Sequence, residues 1–390
     1  MRIALLVGVG SLLGCLGPGD PYPCQSDANC FDHGRQGTCH ASALGSFCAY
    51  TDSACSSSQL RWSAAAPPSL AGTCVDTTQG DGGVPPDLTG AAPDMTNSDM
   101  ASSFAWNPET SGSMTTLNGI WGSGPADVYV VGALGTILHS KGDGTWTTLA
   151  SGGANLNAVW GSGADVYAVG ANALILHSSN AGGSWNQQQA TGAMNAYLYA
   201  IWGSSVDDIY VTGDGGLILH TTDGGAIWTK QDATVKTRQQ SVWGSGVDDV
   251  YSVGQWDLLM GGNATIVHTG DSGTTWVLQD SGVQKFIFGV SGKGPTSVCA
   301  VGEAGLVLHS GGGKWTMQTS GTIETLYAVW GSTADFYAVG GGGVIIHSDN
   351  CTQWQSQTSN STDDLVAVWG SGPDNVYAVG AHGTILHGKQ

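Results

Sequence analysis

Residues 156–185 read LNAVWGSGADVYAVGANALILHSSNAGGSW, and close copies of this stretch fill the chain from residue 104 to its end. The WGS tryptophans are Trp121, Trp160, Trp202, Trp243, Trp330 and Trp369, with Ser291 holding the fifth register. They are spaced by 39, 42, 41, 48, 39 and 39 residues, the length of a four-stranded propeller blade. Each unit divides into four short runs rich in Val, Ile and Tyr, punctuated by Gly, Asp and Asn as strands and tight turns require. The second and third runs (DVYAVG, LILHS) are apolar at almost every position, the pattern of strands covered on both faces.

The two ends of the repeat fit together. The seventh unit stops at GTILHGKQ with no Trp-led fourth strand, while Trp106 stands fifteen residues before Trp121, the separation also seen between Trp228 and Trp243. Residues 104–112 are therefore expected to complete the last blade and close the ring, removing open sheet edges. The expected fold is all-β: a seven-bladed β-propeller of four-stranded blades over 104–390, preceded by a small disulfide-rich module.

The first hundred residues are of another kind. Residues 1–14, MRIALLVGVGSLLG, have one Arg and a short apolar run, the form of a secretory signal peptide. The run ends in LLGC, which resembles a bacterial lipobox and makes Cys15 the expected lipidation site, with 15–23 as the tether. Removing Cys15 from the nine cysteines leaves eight. Six of these, Cys24, Cys30, Cys39, Cys48, Cys55 and Cys74, lie in an aliphatic-poor segment that cannot build a core alone. Three disulfides of open connectivity are expected over 24–74. A zinc site is the alternative, although no CxxC pair occurs and an export signal argues for oxidation. Residues 75–103 carry five Asp and neither basic nor aromatic residues, as a disordered Pro/Asp/Gly linker would. This architecture resembles surface lipoproteins of predatory soil bacteria of the myxobacterial kind. The expected location is the outer membrane, with membrane contact only through the lipid. Leu16 lacks the Asp that favours the inner membrane.

The net charge of −19 argues against nucleic acid, which needs clustered Lys and Arg. Much of the acidity belongs to two repeated turns: Asp127, Asp165 and Asp208 exemplify one, Asp143, Asp223 and Asp271 the other.

In the second of these turns, HTTDGGAIW holds Thr221, Asp223, Gly225 and Trp228, and HTGDSGTTW repeats them as Thr269, Asp271, Gly273 and Trp276. These residues resemble the Asp-box of bacterial neuraminidase (BNR) repeats, also found in sortilin-type receptors, photosystem II assembly factors and xyloglucan hydrolases. The Asp and Thr oxygens are expected to bind hairpin amides, with Gly at positive φ and Trp packed beneath. The motif then fastens a turn on the face opposite the usual propeller ligand site. Seven histidines (139, 177, 220, 268, 309, 347 and 387) end the third runs. Neighbouring blades would hold them apart and no HxH or HExxH spacing occurs, so a repeated structural hydrogen bond is expected, with no metal or cofactor.

Departures from the repeat carry the functional signal. The fourth unit inserts QWDLLMGGNAT between its second and third runs, bringing Trp256, Asp257 and Met260 to the expected binding face. Nearby loops add Lys236, Arg238, Lys285 and Tyr197 as ligand-binding candidates for sugar rings or an acidic protein surface. Sialidases use an arginine triad, and this propeller has only Arg238, so the Asp-box likeness does not bring that activity. Glu303 and Glu324, with Asp214 and Asp257, are the carboxylates of an alternative reading as a glycoside hydrolase or lyase of the Asp-box propeller type. The preferred reading is a non-catalytic, monomeric surface lipoprotein whose propeller is a binding or assembly scaffold for a surface glycan or an envelope protein.

Overall fold

The computed structural model describes residues 104–389 except 150–152, 194 and 257–261, together with the backbone of short strands between residues 31 and 62. Met1–Ser98 and Asp99–Gln390 form separate units. In the first, Thr38–Ser42, Gly45–Thr51 and Leu60–Trp62 make a three-stranded antiparallel sheet in which Cys39 and Cys48 are register partners. The expected signal peptide, the lipidated Cys15, the bridges among the six clustered cysteines and the 75–103 linker lie outside the described residues.

The second unit is a seven-bladed propeller. Blade two shows the plan: Leu156–Ser162, Asp165–Gly170, Ile175–Ser178 and Asn186–Gln188 pair antiparallel in chain order. The first strands touch their neighbours in cyclic order, from Leu117–Gly124 of blade one round to Leu365–Gly372 of blade seven and back. The second strands are buried on both faces, as Tyr129, Val130 and Val131 illustrate at 0% exposure. Blade seven takes its fourth strand from the start of the propeller: Ala105–Glu109 pairs with Ile385–Lys389, setting Trp106 opposite Gly388.

The WGS word is explained by packing between blades. A β-carbon on Gly161 would lie 2.7 Å from the Trp121 ring of the preceding blade, and one on Gly244 would lie 2.5 Å from Trp202. The same contact recurs at Gly122, Gly203, Gly292 and Gly370, so each glycine is the seat of a neighbour's tryptophan. The serine of the word is also used. Ser245 Oγ donates to Asp249 Oδ2 at 2.5 Å, Asp249 Oδ1 lies 2.7 Å from His268 Nε2, and the His268 ring stacks on Tyr251 at 4.2 Å. Equivalent His–Asp pairs join His139 to Asp127, His177 to Asp165, His220 to Asp208 and His347 to Asp335 at 2.6–2.8 Å. In blade seven Asn375 replaces the Asp and bonds His387. Six of the seven third-strand histidines are thus fixed one by one, each inside its own blade.

Blade five breaks this scheme. Ser291 replaces its tryptophan, Cys299 its tyrosine and Ser297 its Asp, leaving His309 without the carboxylate and ring its counterparts have; burial alone pushes its pKa down. The vacancy is filled from blade six. Phe336 stands where other blades have Val or Ile, and a β-carbon on Gly331 would lie 2.7 Å from it. Ser291 Oγ accepts from the Gly331 amide at 3.1 Å. Cys299 is bonded to Cys351 of the next blade's turn, and both are fully buried.

Candidate functional site

The two faces of the ring are built by different rules. On one, the third and fourth strands are joined by the repeated turn. Thr221 Oγ1 donates to Asp223 Oδ1 at 2.7 Å and accepts from the Gly225 amide at 2.9 Å, while the Ile227 amide donates to Asp223 Oδ1 at 2.9 Å. Asp271 repeats this through the Thr275 amide at 2.8 Å. Hydrogen bonds from Ile227 and Thr221 hold the Asp223 carboxyl below its ordinary value, as those from Thr275 and Thr269 hold Asp271. Trp228 is buried and its indole N–H donates to Gln188 of the preceding blade at 3.0 Å; Trp276 is buried against Tyr210. The Thr and Asp oxygens thus serve the turn itself, and Trp228 serves the preceding blade, while the buried Trp276 indole N–H has no partner among the described residues.

That face also brings Asp335, His347 and Asp349 within 4.8 Å of one another. The Lys293 ammonium donates to the carbonyls of Ala334 and Asp349, which sets a positive charge beside these donors and opposes a second cation.

The opposite face holds the inter-blade loops and the second-to-third connections. In six blades that connection is the same three-residue turn, whose middle residue has positive φ: Leu134, Asn172, Gly215, Ala304, Gly342 and His382. A fixed backbone therefore carries a different side chain in each blade. Non-glycine residues adopt this conformation at a cost, so Leu134, 71% exposed, is displayed rather than packed. Blade four replaces the turn with its longer connection. Trp256 ends the strand Asp249–Trp256, paired with Ala264. Its side chain, and Asp257 and Met260, lie outside the described residues.

The inner end of each first strand rings the mouth of a central cavity of about 410 Å³. The ring is uneven: Asn118 and Asn157 in blades one and two, Tyr199, Gln240, Phe288 and Tyr327 in blades three to six, and Val366 in blade seven. Asn118 and Asn157 donate to the Leu156 and Leu198 carbonyls at 2.8 and 2.7 Å and so stitch blades together. The aromatic residues form an arc instead. Tyr197, 45% exposed, stacks on Tyr199 at 6.4 Å, and Phe288 meets Phe286 at 6.2 Å and Tyr327 at 5.7 Å, both edge-on. Met114 and Ile323, 83% and 86% exposed, stand on loops of the same face.

The cationic candidates are placed unequally. Arg238 lies over Tyr199 at 4.8 Å and its Nε donates to Asp214 at 3.1 Å, while Tyr199 Oη donates to the same oxygen. It holds the arc in place and is only partly available to a ligand. Lys285 Nζ donates to the Ala304 carbonyl at 3.4 Å, and Lys236 is exposed. Glu303 and Glu324 are exposed on loops of blade five and of the entry to blade six; Glu303 Oε2 accepts from the Phe286 amide at 3.4 Å.

Sequence reasoning passed over Tyr199, Phe286, Phe288 and Tyr327 because they sit inside strand-like runs. Their signal is the variation of one register position, Asn, Asn, Tyr, Gln, Phe, Tyr, Val, within an otherwise constant word. It also passed over a buried polar group in blade four. Gln239 replaces the usual Leu or Ile; Ser252 Oγ donates to its Oε1 at 2.9 Å, and its Nε2 donates to Thr265 Oγ1 at 3.1 Å. Thr265 Oγ1 in turn donates to the Gln255 carbonyl at 3.0 Å, anchoring the base of the blade-four insertion.

A larger opening of about 540 Å³ lies at the rim, between the loops of blades six and seven. Its hydroxyls are largely spent on their own loops, Ser111 on the Ser113 carbonyl and Ser359 on that of Ser361. The channel mouth, with its partly exposed aromatic side chains beside a cavity, is the stronger candidate.

Comparisons with known proteins agree with this architecture. Residues 156–239 match the family model of the photosynthesis system II assembly factor YCF48. YCF48 from Cyanidioschyzon merolae superposes with a TM-score of 0.61 at 16% identity, covering 73% of this chain and 98% of that one. A structure of YCF48 bound to D1 peptide gives 0.61 at 15%, over 73% and 97%. Virginiamycin B lyase from Staphylococcus aureus gives 0.63 at 15%, over 74% and 100%. No curated protein matches the sequence. At such identities the likeness is one of fold, and the fold hosts both a peptide-bound protein and an enzyme, so function has to be argued from the site.

Proposed function

We propose that this chain is an exported, lipid-anchored binding scaffold whose propeller receives a segment of a partner protein at the channel mouth. The observation that carries this reading is the aromatic arc of Tyr197, Tyr199, Phe288 and Tyr327, which departs from the repeat at the mouth of the channel on the loop face. Rigid aromatic side chains beside a cavity supply contact area at little entropic cost, as interface anchors do. A protein segment is favoured because the cavity is walled by apolar first strands, where a chain can place one side chain deep and lay its backbone across the rim. The YCF48 structure with its D1 peptide is a precedent within the fold. Export and the lipid anchor rest on the N-terminal sequence, and the buried Cys299–Cys351 bridge fits an oxidising compartment.

The test is an array of immobilised 15-residue peptides and purified bacterial surface polysaccharides, probed with the full chain and with Tyr199→Ala/Phe288→Ala. Peptide binding weakened about 30-fold in the double variant, with an unchanged melting curve, is the expected result and corresponds to about 2 kcal/mol. Binding confined to polysaccharides, or peptide binding untouched by the two substitutions, would overturn the proposal.

A further inference from the structure

The mouth is not electrostatically uniform. Lys236, Arg238 and Lys285 lie on the loops that enter blades four and five. From residue 294 to 388 the sequence has one Lys or Arg, Lys314, and it lies on the fastening face just before the fourth strand of blade five. The loop face of that sector carries Glu303, Glu324, Asp363 and Asp364. Two of these are engaged: Glu303 by the Phe286 amide, Asp363 by Thr384 Oγ1 at 2.5 Å and His382 Nδ1 at 2.9 Å. Asp364 uses Oδ1 to accept from the Gly342 amide at 2.9 Å and keeps its other oxygen. The Glu324 carboxylate has no partner among the described residues.

Glu324 and Asp364 flank one place. A β-carbon on Gly341 would lie 3.5 Å from Glu324 Oε2 and 3.6 Å from Asp364 Oδ1. The blade-six turn is Gly341–Gly343, so no turn side chain occupies the space between the two carboxylates. Tyr327 borders the same space: burial, with Asp364 and Glu324 beside it, pushes its hydroxyl pKa up. Phe288 backs Tyr327 on the channel side at 5.7 Å.

We propose that the apolar channel mouth at blades five to seven docks a cationic segment of the partner protein, with a Lys or Arg side chain held against Tyr327 between Glu324 and Asp364. This rests on the reading of the loop face as a protein-binding surface, and it names the chemistry of the partner. A cation gains from the face of an aromatic ring and from flanking carboxylates together, and the apolar residue beside it can enter the channel. The net charge of −19 steers cationic partners toward the molecule, while the placement of the Glu324 carboxylate and the unshared oxygen of Asp364 sets the register.

The probe is an acetylated, amidated hexapeptide of alternating Arg and Leu, with a Glu-and-Leu hexapeptide as control, titrated into the full chain. Glu324→Gln/Asp364→Asn removes the two charges but keeps an acceptor for Gly342. Asp349→Asn/Asp374→Asn removes two exposed charges from the other face. The first pair should weaken the Arg–Leu peptide about tenfold or more, and the second should leave it within about twofold. Equal losses in both pairs would reduce the effect to overall charge and overturn the proposal, as would Arg–Leu binding no tighter than Glu–Leu. Partner peptides lost in Tyr199→Ala/Phe288→Ala but kept in Glu324→Gln/Asp364→Asn would refute the cationic register alone. If neither pair affects any peptide, the protein-binding reading falls with it.

Discussion

Six junctions between blades are alike, and the seventh is not. At six, a tryptophan of one blade rests on the WGS glycine of the next. Within six blades a tyrosine ring lies against the third-strand histidine, as Tyr210 stacks on His220 at 4.0 Å, and where its hydroxyl is hydrogen-bonded it reaches a turn of the next blade, as Tyr167 does to the Gly224 carbonyl at 3.0 Å. Between blades five and six the tryptophan, tyrosine and Asp are all absent, and a disulfide, Phe336 and a Ser291 hydrogen bond stand in their place. Cys299 occupies the tyrosine's register position and Cys351 occupies that of Gly224, with the same positive φ. One covalent bond thus replaces an aromatic contact between the same two points of the repeat. The aromatic ladder is one way of tying neighbouring sheets together, and the fold accepts another wherever the volume is refilled.

The comparison predicts two large and unequal losses. Tyr210 is fully buried among His220, Trp202 and Trp276, so Tyr210→Ala should cost about 4 kcal/mol by the usual range for large buried aromatics. Replacing both Cys299 and Cys351 by Ala should cost about 3 kcal/mol, because the bridge closes a separation of 52 residues. Chemical denaturation of the three proteins measures both. A Cys-pair loss under about 1 kcal/mol would mean that Phe336 and Ser291 alone hold the junction. Since both sulfurs are inaccessible, a mild reductant should act only as fast as the junction opens.

How much of this was legible in the sequence follows from where symmetry holds. The blade count, the strand boundaries and the pairing of Ala105–Glu109 with the last blade come from period and from complementary ends. The turn of Asp223 and Asp271 could be read as a fastener because its residue types define its hydrogen bonds locally. The Cys299–Cys351 pair could not: the two cysteines are 52 residues apart, and only the superposition of repeats puts a tyrosine position over a glycine position. The channel mouth was half legible. Loop residues such as Tyr197, Arg238 and Lys285 stood out as departures, whereas Tyr199, Phe288 and Tyr327 satisfy strand propensity and hide their exposure to the channel. Arg238 stands out as the propeller's one arginine, but its ion pair with Asp214 depends on a turn 24 residues away.

The smallest expected effect concerns the junction that closes the ring. Glu109 ends the strand Ala105–Glu109 and is nearly inaccessible; its Oε1 lies 2.8 Å from His387 Nδ1, and its Oε2 accepts from Trp146 of blade one at 2.8 Å. Burial opposes its ionisation, but the hydrogen bonds from His387 and Trp146 outweigh it and hold the carboxyl below the ordinary 4.5. A carboxyl depressed by folding binds fewer protons in the native state than in the unfolded one. Its contribution is therefore complete above about pH 4.5 and is lost as pH falls through the lowered native value. Hydrogen exchange should then rise in Ala105–Glu109 and Ile385–Lys389 on going from pH 5 to pH 3, after correction for intrinsic rates, before it rises in blade two, whose four strands are consecutive in the chain. Glu109→Gln should flatten that rise, since its amide does not titrate. An equal rise in both regions, or one unchanged by the substitution, would show that acid loosens the ring at large and not at the strand that closes it.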